Sequence, residues 1–253
     1  MPNLATVRRM EAIGFRAWPA ASVHYDGSWA IRLTASHPSR RLNSVNPLDP
    51  ADSRDIEQRI ARIEKRFEAY LRPVVFRLSP LAPASLQAHL NAEGWLRADE
   101  TRVMTARLDE MDLHGSYDLL PLRDVGHFVD ASIALHGAGA VSKAGMTELL
   151  ESIRPRRGMF VLADAEGPTA TALCVHDNEM AGLFDITVRR GARNRGYGRS
   201  IVRAALRWAA AQGARTGWLQ VEDANTAAVG LYERMGFEEI YRYVYRTRPD
   251  QDP

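Results

Sequence analysis

The stretch FDITVRRGARNRGYGRSIVRAAL, residues 184–206, decides how this chain is to be read. A strand runs into a loop holding Gly191, Gly196 and Gly198, and the loop runs into an amphipathic helix. Ile201, Val202, Ala205, Leu206 and Ala209 form the apolar stripe of that helix, and Arg199, Arg203 and Arg207 recur every fourth residue opposite it. Strand, glycine loop and helix together make a phosphate-binding arrangement. Glycines let the backbone turn and approach a ligand, and the first helical N–H groups, with no partner inside the helix, face an anion together with the positive end of the helix dipole. Nucleotide and dinucleotide folds use the same physics. No GK[ST] follows the loop, so a triphosphate P-loop is not supported, and the arrangement comes late in its domain, which makes a dinucleotide site the lesser reading.

Outward from this stretch the chain alternates helices and strands. Downstream come the helix 200–213, the strand TGWLQV, the helix NTAAVGLYERMGF ending at Gly236, and the strand IYRYVYRT. Upstream, YDLLPLRD reads as a strand, VGHFVDASIALHG and MTELLESIRP as helices, and residues 160–177 as two strands joined by a turn, with MAGLFDITV following directly. In the first half WAIRLT and RRLNSV read as a hairpin. Ile56, Ile60, Ile63 and Phe67 fall at helical spacing, with Ser53 as the expected N-cap. VVFRLS then reads as a strand, SLQAHLNAEGW as a helix closing at Gly94, and TRVMTARL as a strand. Gly94-Trp95 and Gly236-Phe237 occupy matching places, which suggests a duplicated unit, and the order of elements points to an α/β layer architecture. The charged stretch LDEMDLHGSYDL places the boundary near residue 112.

RNRGYG, Arg193 to Gly198, resembles the R-x-x-G-x-G signature of the Gcn5-related N-acetyltransferases, and QVEDANTAAVGLYERMGF resembles that family's downstream motif. The resemblance covers the last half of the chain and implies an α/β (α+β) fold of two such units, each a mixed, mainly antiparallel sheet flanked by helices. Residues 1–112 would be a degenerate unit without a cofactor loop, and residues 113–253 the N-acetyltransferase domain, using acetyl-CoA as cosubstrate and an unidentified primary amine as acceptor. By the same resemblance Arg193, Asn194, Arg195, Gly196, Tyr197, Gly198 and Arg199 would hold the pyrophosphate of coenzyme A. The strand edge at Ile186, Thr187 and Val188 would pair with the pantetheine amides, Asn225 would reach the cofactor arm, and Tyr232 would reprotonate the departing thiol. The matching loop of the first half has no glycine, and Pro47 and Pro50 offer no N–H, so that half is expected not to bind coenzyme A.

Direct transfer needs a base for the acceptor ammonium, and the nearest carboxylates to the motif are Asp185 and Glu222. Strand alternation puts Asp185 on the face of Leu183 and Thr187, opposite Phe184 and Ile186. Cys174, the only cysteine, lies in the apolar run TALCV and is expected to be a packed thiol, with no disulfide and no cysteine-based zinc site. The seven histidines show no metal spacing, so no metal is expected. The net charge of +2, from 33 basic and 31 acidic residues, gives no field for nucleic acid or membrane. The absence of a leader or an apolar span points to a cytoplasmic protein, monomer or homodimer. Two other classes stay open: a non-catalytic acyl-CoA-binding sensor, which would keep the loop glycines and Asn225 without needing Tyr232, and an interaction protein independent of any cofactor.

Overall fold

The computed structural model describes residues 2–114, 119–137 and 141–249. In chain order its elements are α1 (Leu4–Ala17), β1 (Ser22–Asp26), β2 (Trp29–Leu33), β3 (Ser44–Pro47), α2 (Ile56–Ala69), β4 (Val75–Leu78), α3 (Ala84–Ala92) and β5 (Leu96–Arg107). These are followed by α4 (Val125–His136), α5 (Lys143–Ser152), β6 (Arg156–Asp164), β7 (Gly167–Asp177), β8 (Met180–Val188), α6 (Tyr197–Ala211), β9 (Thr216–Glu222), α7 (Thr226–Arg234) and β10 (Glu238–Thr247). Two compact units form, and the division is not one cut: the first takes the chain up to Arg102, Glu222–Ala224 and everything from Ile240 on, the second Val103–Val221 and Asn225–Glu239.

In the first unit the strands run in the order β1-β2-β3-β4-β10. The pairs β1–β2, β2–β3 and β4–β10 are antiparallel, and β3 pairs parallel to β4 at Val45↔Phe76. Trp29, Ile60, Ile63, Phe67, Phe76, Leu86 and Trp95 fill its core. The hairpin expected from WAIRLT and RRLNSV forms as β2 and β3, the second strand starting at Ser44 instead of Arg40. Ser53 is not the cap of α2. That helix starts after Asp55, which has left-handed backbone (φ 51) and no capping hydrogen bond. The preceding acid, Asp52, instead accepts from the Ser28 amide at 2.8 Å and from Arg59 Nη1 at 2.9 Å, which ties the incoming chain to the body of the unit.

The N-terminal segment forms α1. Asn3 Oδ1 caps it by accepting from the Ala5 amide at 2.9 Å, and Val7, Met10, Ile13 and Ala17 turn one stripe inward. The same stripe buries Glu11, which is 3% exposed. Arg77, itself 4% exposed, donates to both of its oxygens, the second at 3.1 Å, and the Tyr241 hydroxyl donates to Oε1 at 2.7 Å. The Arg77 guanidinium also stacks 3.6 Å from the centre of the Tyr243 ring. One carboxylate thus ties a helix from the start of the chain to two strands, one of them from its end. Burial alone would lower the Arg77 pKa, but the charge of Glu11 overrides it and holds the guanidinium well above its ordinary value.

The second unit orders its strands β5-β9-β8-β7-β6. The β6–β7 and β7–β8 pairs are antiparallel and β8–β9 is parallel, so this sheet too is mixed. Under α6 lies a core of Phe160, Leu183, Ile201, Leu206, Leu219, Tyr232 and Phe237. The strand expected at YDLLPLRD does not form among its described residues, Leu119 to Asp124, which make a single bridge, Leu122↔Met159. Pro121, with no N–H to give, cannot extend a ladder there. Its first two residues, 117 and 118, lie outside the described residues. α3 and α7 end alike: Gly94 (φ 70) and Gly236 (φ 89) are left-handed, and the next aromatic amide bonds five residues back, Trp95 to Leu90 at 2.9 Å and Phe237 to Tyr232 at 3.0 Å.

Because Glu11 is the only carboxylate hydrogen-bonded to buried Arg77 among the described residues, Glu11→Gln leaves an uncompensated buried cation. The expected outcome in urea unfolding is a loss of about 3–5 kcal/mol with an unchanged slope. A loss below about 1 kcal/mol would show that water reaches Arg77.

Candidate functional site

The parallel ladder between β8 and β9 runs only from Met180↔Thr216 to Leu183↔Leu219. β8 continues to Val188 and β9 to Glu222, yet beyond Leu183 the two strands share no paired residues. Just there β8 bulges: its register with β7 passes from Leu173↔Phe184 to Thr171↔Thr187, two residues of β8 facing one of β7. Asp185 takes the left-handed backbone this requires (φ 49), and the Thr171 hydroxyl donates to its carbonyl at 3.1 Å.

The bulge changes which side chains share a face. Leu183, Ile186 and Val188 pack with the core under α6, whereas Phe184 stands edge-on to Trp218 at 5.3 Å, and Asp185 and Thr187 meet His136 of α4. Strict alternation had grouped Asp185 with Leu183. The inserted residue resets the phase, so Asp185 leaves Leu183 and keeps company with Thr187.

At the end of β8 the chain makes a 3₁₀ turn, Arg190–Ala192, and enters the glycine loop. Arg189 is held by Asp164 at 2.5 Å and Glu166 at 3.3 Å, so it belongs to the β6–β7 turn and not to a free basic patch. Arg193 Nε donates to the Val188 carbonyl at 3.3 Å, and Asn194 (φ 61) and Gly196 (φ 85) carry the chain into α6 through left-handed backbone. Gly196 is the N-cap and offers no side chain, so no side-chain group caps α6. The first amide of this region bonded into the helix is that of Ser200, to the Gly196 carbonyl at 3.0 Å. The N–H groups of Tyr197, Gly198 and Arg199 therefore face outward at the positive end of a 15-residue helix.

Glycine is not demanded at all three loop positions by the protein's own packing. A Cβ on Gly191 or Gly196 would meet nothing within 4 Å, and one on Gly198 would stand 3.4 Å from Leu231 and 3.6 Å from Val188, ordinary contact distances. What the glycines leave is an open cradle of backbone N–H groups beside exposed Arg193, Arg195 and Arg199. This suits a polyphosphate.

On α7, Asn225 is the N-cap, accepting from the Ala228 amide at 3.2 Å. Tyr232 follows about two turns later. It is 6% exposed, its ring lies edge-on to Phe237 at 5.8 Å, and burial pushes its phenol up to about 12, so it holds its proton throughout the physiological range. Leu231, beside it, touches the Gly198 position and fixes α7 against the start of α6. Glu222 is exposed and falls with the first unit, apart from the unit that holds Asp185 and Tyr232. Cys174 is fully buried and burial drives its thiol well above the ordinary range, as expected of a packed cysteine.

One group was missed in the sequence. His136, the last residue of α4, places Nε2 2.6 Å from Asp185 Oδ1 and 3.0 Å from Thr187 Oγ1, although 49 residues separate it from Asp185. The hydrogen bond and charge of Asp185 raise the imidazole pKa against the opposing effect of burial. The one signal available in the sequence was a histidine directly before the helix-ending Gly137 (φ 95), where a cation suits the helix dipole.

The cost of a side chain at Gly196 should be purely conformational, since the space is open. Gly196→Ala is expected to lower stability by about 1–2 kcal/mol, read as a fall in thermal midpoint. An unchanged midpoint would mean that the loop relaxes out of its left-handed turn.

The Acetyltransferase (GNAT) family matches residues 133–237, which contain the bulge, the glycine loop, α6 and α7. Over 96% of its length the chain is 27% identical to the uncharacterized N-acetyltransferase YobR of Bacillus subtilis, 98% of which is covered. A GCN5-related N-acetyltransferase from Kribbella flavida superposes with a TM-score of 0.72 at 17% identity, covering 98% of this chain and 96% of that one. A tandem GNAT protein from the clavulanic acid biosynthesis pathway superposes with a TM-score of 0.60 at 16% identity, over 94% and 86% of the two chains. Motifs, family match and relatives agree, and residues 133–237 carry a domain of the Acetyltransferase (GNAT) family.

Proposed function

We propose that the second unit transfers an acetyl group from acetyl-CoA directly to a primary amine. The observation that carries this reading is the end of the β8–β9 ladder at Leu183↔Leu219, immediately before the glycine cradle. Peptide groups of Ile186, Thr187 and Val188 on the β9 side have no strand partner from β9 there, which suits an extended ligand with amides of its own. The pyrophosphate would lie on the Tyr197, Gly198 and Arg199 amides, with Arg193 and Arg195 supplying charge and Asn194 shaping the turn. Asn225 caps α7, and its side-chain N–H groups would donate to the pantetheine arm.

Tyr232 supplies the proton for the departing thiolate. Its phenol is protonated and it sits two turns into the helix that Leu231 pins against the cradle. Asp185 stands on the acceptor side of the same strand. Transfer needs no covalent enzyme intermediate, consistent with a buried Cys174. In the first unit, β3 leads into Pro47 and Pro50 where the second unit has its glycines, so we assign that unit to a degenerate GNAT-like role that leaves coenzyme A to the second.

Calorimetric titration with acetyl-CoA is expected to give one saturable site, abolished in Gly196→Pro, whose ring cannot adopt φ 85. Absence of binding to the wild-type chain would overturn the reading. Tyr232→Phe is expected to bind acetyl-CoA with unchanged affinity and to lower kcat by about 10²-fold, measured as thiol release. Full turnover in that variant would remove the acid role.

A further inference from the structure

The acceptor side of the site carries more chemistry than a lone carboxylate. We propose that His136 is the catalytic base that takes the acceptor's proton, through Nδ1, and that Asp185 is the positioning residue that orients its ring. This rests on the acetyl-transfer reading above and adds to it the group that makes the amine a nucleophile.

Asp185 is badly placed to be the base itself. Its side chain is 8% exposed, and Oδ1 is occupied by His136 at 2.6 Å. The imidazole, 42% exposed, is the part of the pair that an incoming amine meets. The carboxylate also selects the tautomer. It has no proton to give, so the hydrogen bond requires the proton on Nε2, which leaves the lone pair on Nδ1. Thr187 Oγ1, 3.0 Å from the same Nε2, is a second contact that holds the ring. Asp185 Oδ2 is buried without a donor among the described residues, so the carboxylate keeps unspent negative charge. That charge favours the imidazolium that forms when the ring accepts a proton, and the carbonyl end of α4 adds to it.

Asp185 is the charged group that acts on the ring, and Asp130 of α4 is paired with Lys143 of α5 at 2.6 Å. The hydrogen bond and charge of Asp185 raise the pKa of His136, which strengthens it as a base.

The protons balance as follows. The acceptor arrives as an ammonium ion and gives one proton to His136 Nδ1, which passes it to solvent. The freed nitrogen lone pair forms the N–C bond to the acetyl carbon. As the C–S bond breaks, Tyr232 protonates the thiolate and recovers its proton from the nitrogen. The net products are the amide, coenzyme A and one proton.

The first test is nitrogen NMR of the histidine rings across a pH titration of the full chain with acetyl-CoA, using His136→Gln to assign the signal. Expected for His136 are the Nε2–H tautomer and a midpoint above 6.5 that falls in Asp185→Asn. An Nδ1–H tautomer, or a midpoint unmoved by Asp185→Asn, would overturn the dyad whether or not an acceptor is known. The second test is thiol release from acetyl-CoA against pH, with propylamine, lysine and an alanine-terminated peptide as acceptors, or water if none is taken. In the wild type kcat/KM should rise with pH through the His136 midpoint, because the imidazolium cannot accept a proton. Asp185→Asn should move that limb to lower pH and lower the plateau. His136→Gln should keep its acetyl-CoA affinity, lose the limb and fall about 10²-fold. A wild-type pH profile in His136→Gln would sink the proposal while leaving acetyl transfer standing, whereas failure of the wild type to bind acetyl-CoA would sink acetyl transfer and not the dyad's geometry.

Discussion

The second unit depends on one interruption: β8 gives up its parallel partner at Leu183, halfway along its own length. A parallel pair normally satisfies the backbone of both strands, and a buried peptide group without a partner costs about 1–3 kcal/mol. The sheet tolerates the break because β7 stays paired to β8 through the bulge and because Thr171 takes up the Asp185 carbonyl. On the other side the peptide groups beyond Leu183 have no partner from β9. The same bulge turns Asp185 and Thr187 away from the core and toward His136 of α4.

Charge is distributed to match. Of the basic residues around the loop, Arg189 is tied to Asp164 and Glu166, which leaves Arg190, Arg193, Arg195 and Arg199 exposed there. Tyr232 is kept protonated by burial, while His136 is made a stronger base by its carboxylate. The first unit shows the contrasting use of buried charge: Glu11, Arg77 and Tyr241 satisfy one another, and nothing in that triad is left to meet a ligand.

Local pattern was enough for most of the elements and for the glycine loop. The apolar stripe from Ile201 to Ala209, the glycines at 191, 196 and 198 and the caps at Asn225 and Gly236 are short-range features, each written within a few residues of the structure it specifies. Ser53 is not the cap, and the neighbouring Asp52 is committed to Ser28 and Arg59, 24 and 7 residues away. α1 has the stripe of Val7, Met10, Ile13 and Ala17, but that stripe carries a glutamate whose burial makes sense only beside Arg77.

By itself the sequence determined most of the helices and strands and the glycine loop, because these rest on periodicity, capping and backbone freedom over neighbouring residues; it did not show α1 or β1. Tertiary structure alone decided which face Asp185 occupies, that His136 lies beside it, and that the final strand pairs with β4 of the first unit. The physical reason is the same in each case. Strand register, bulges and contacts between residues 49 positions apart are settled by packing across the sheet, and no local preference encodes them.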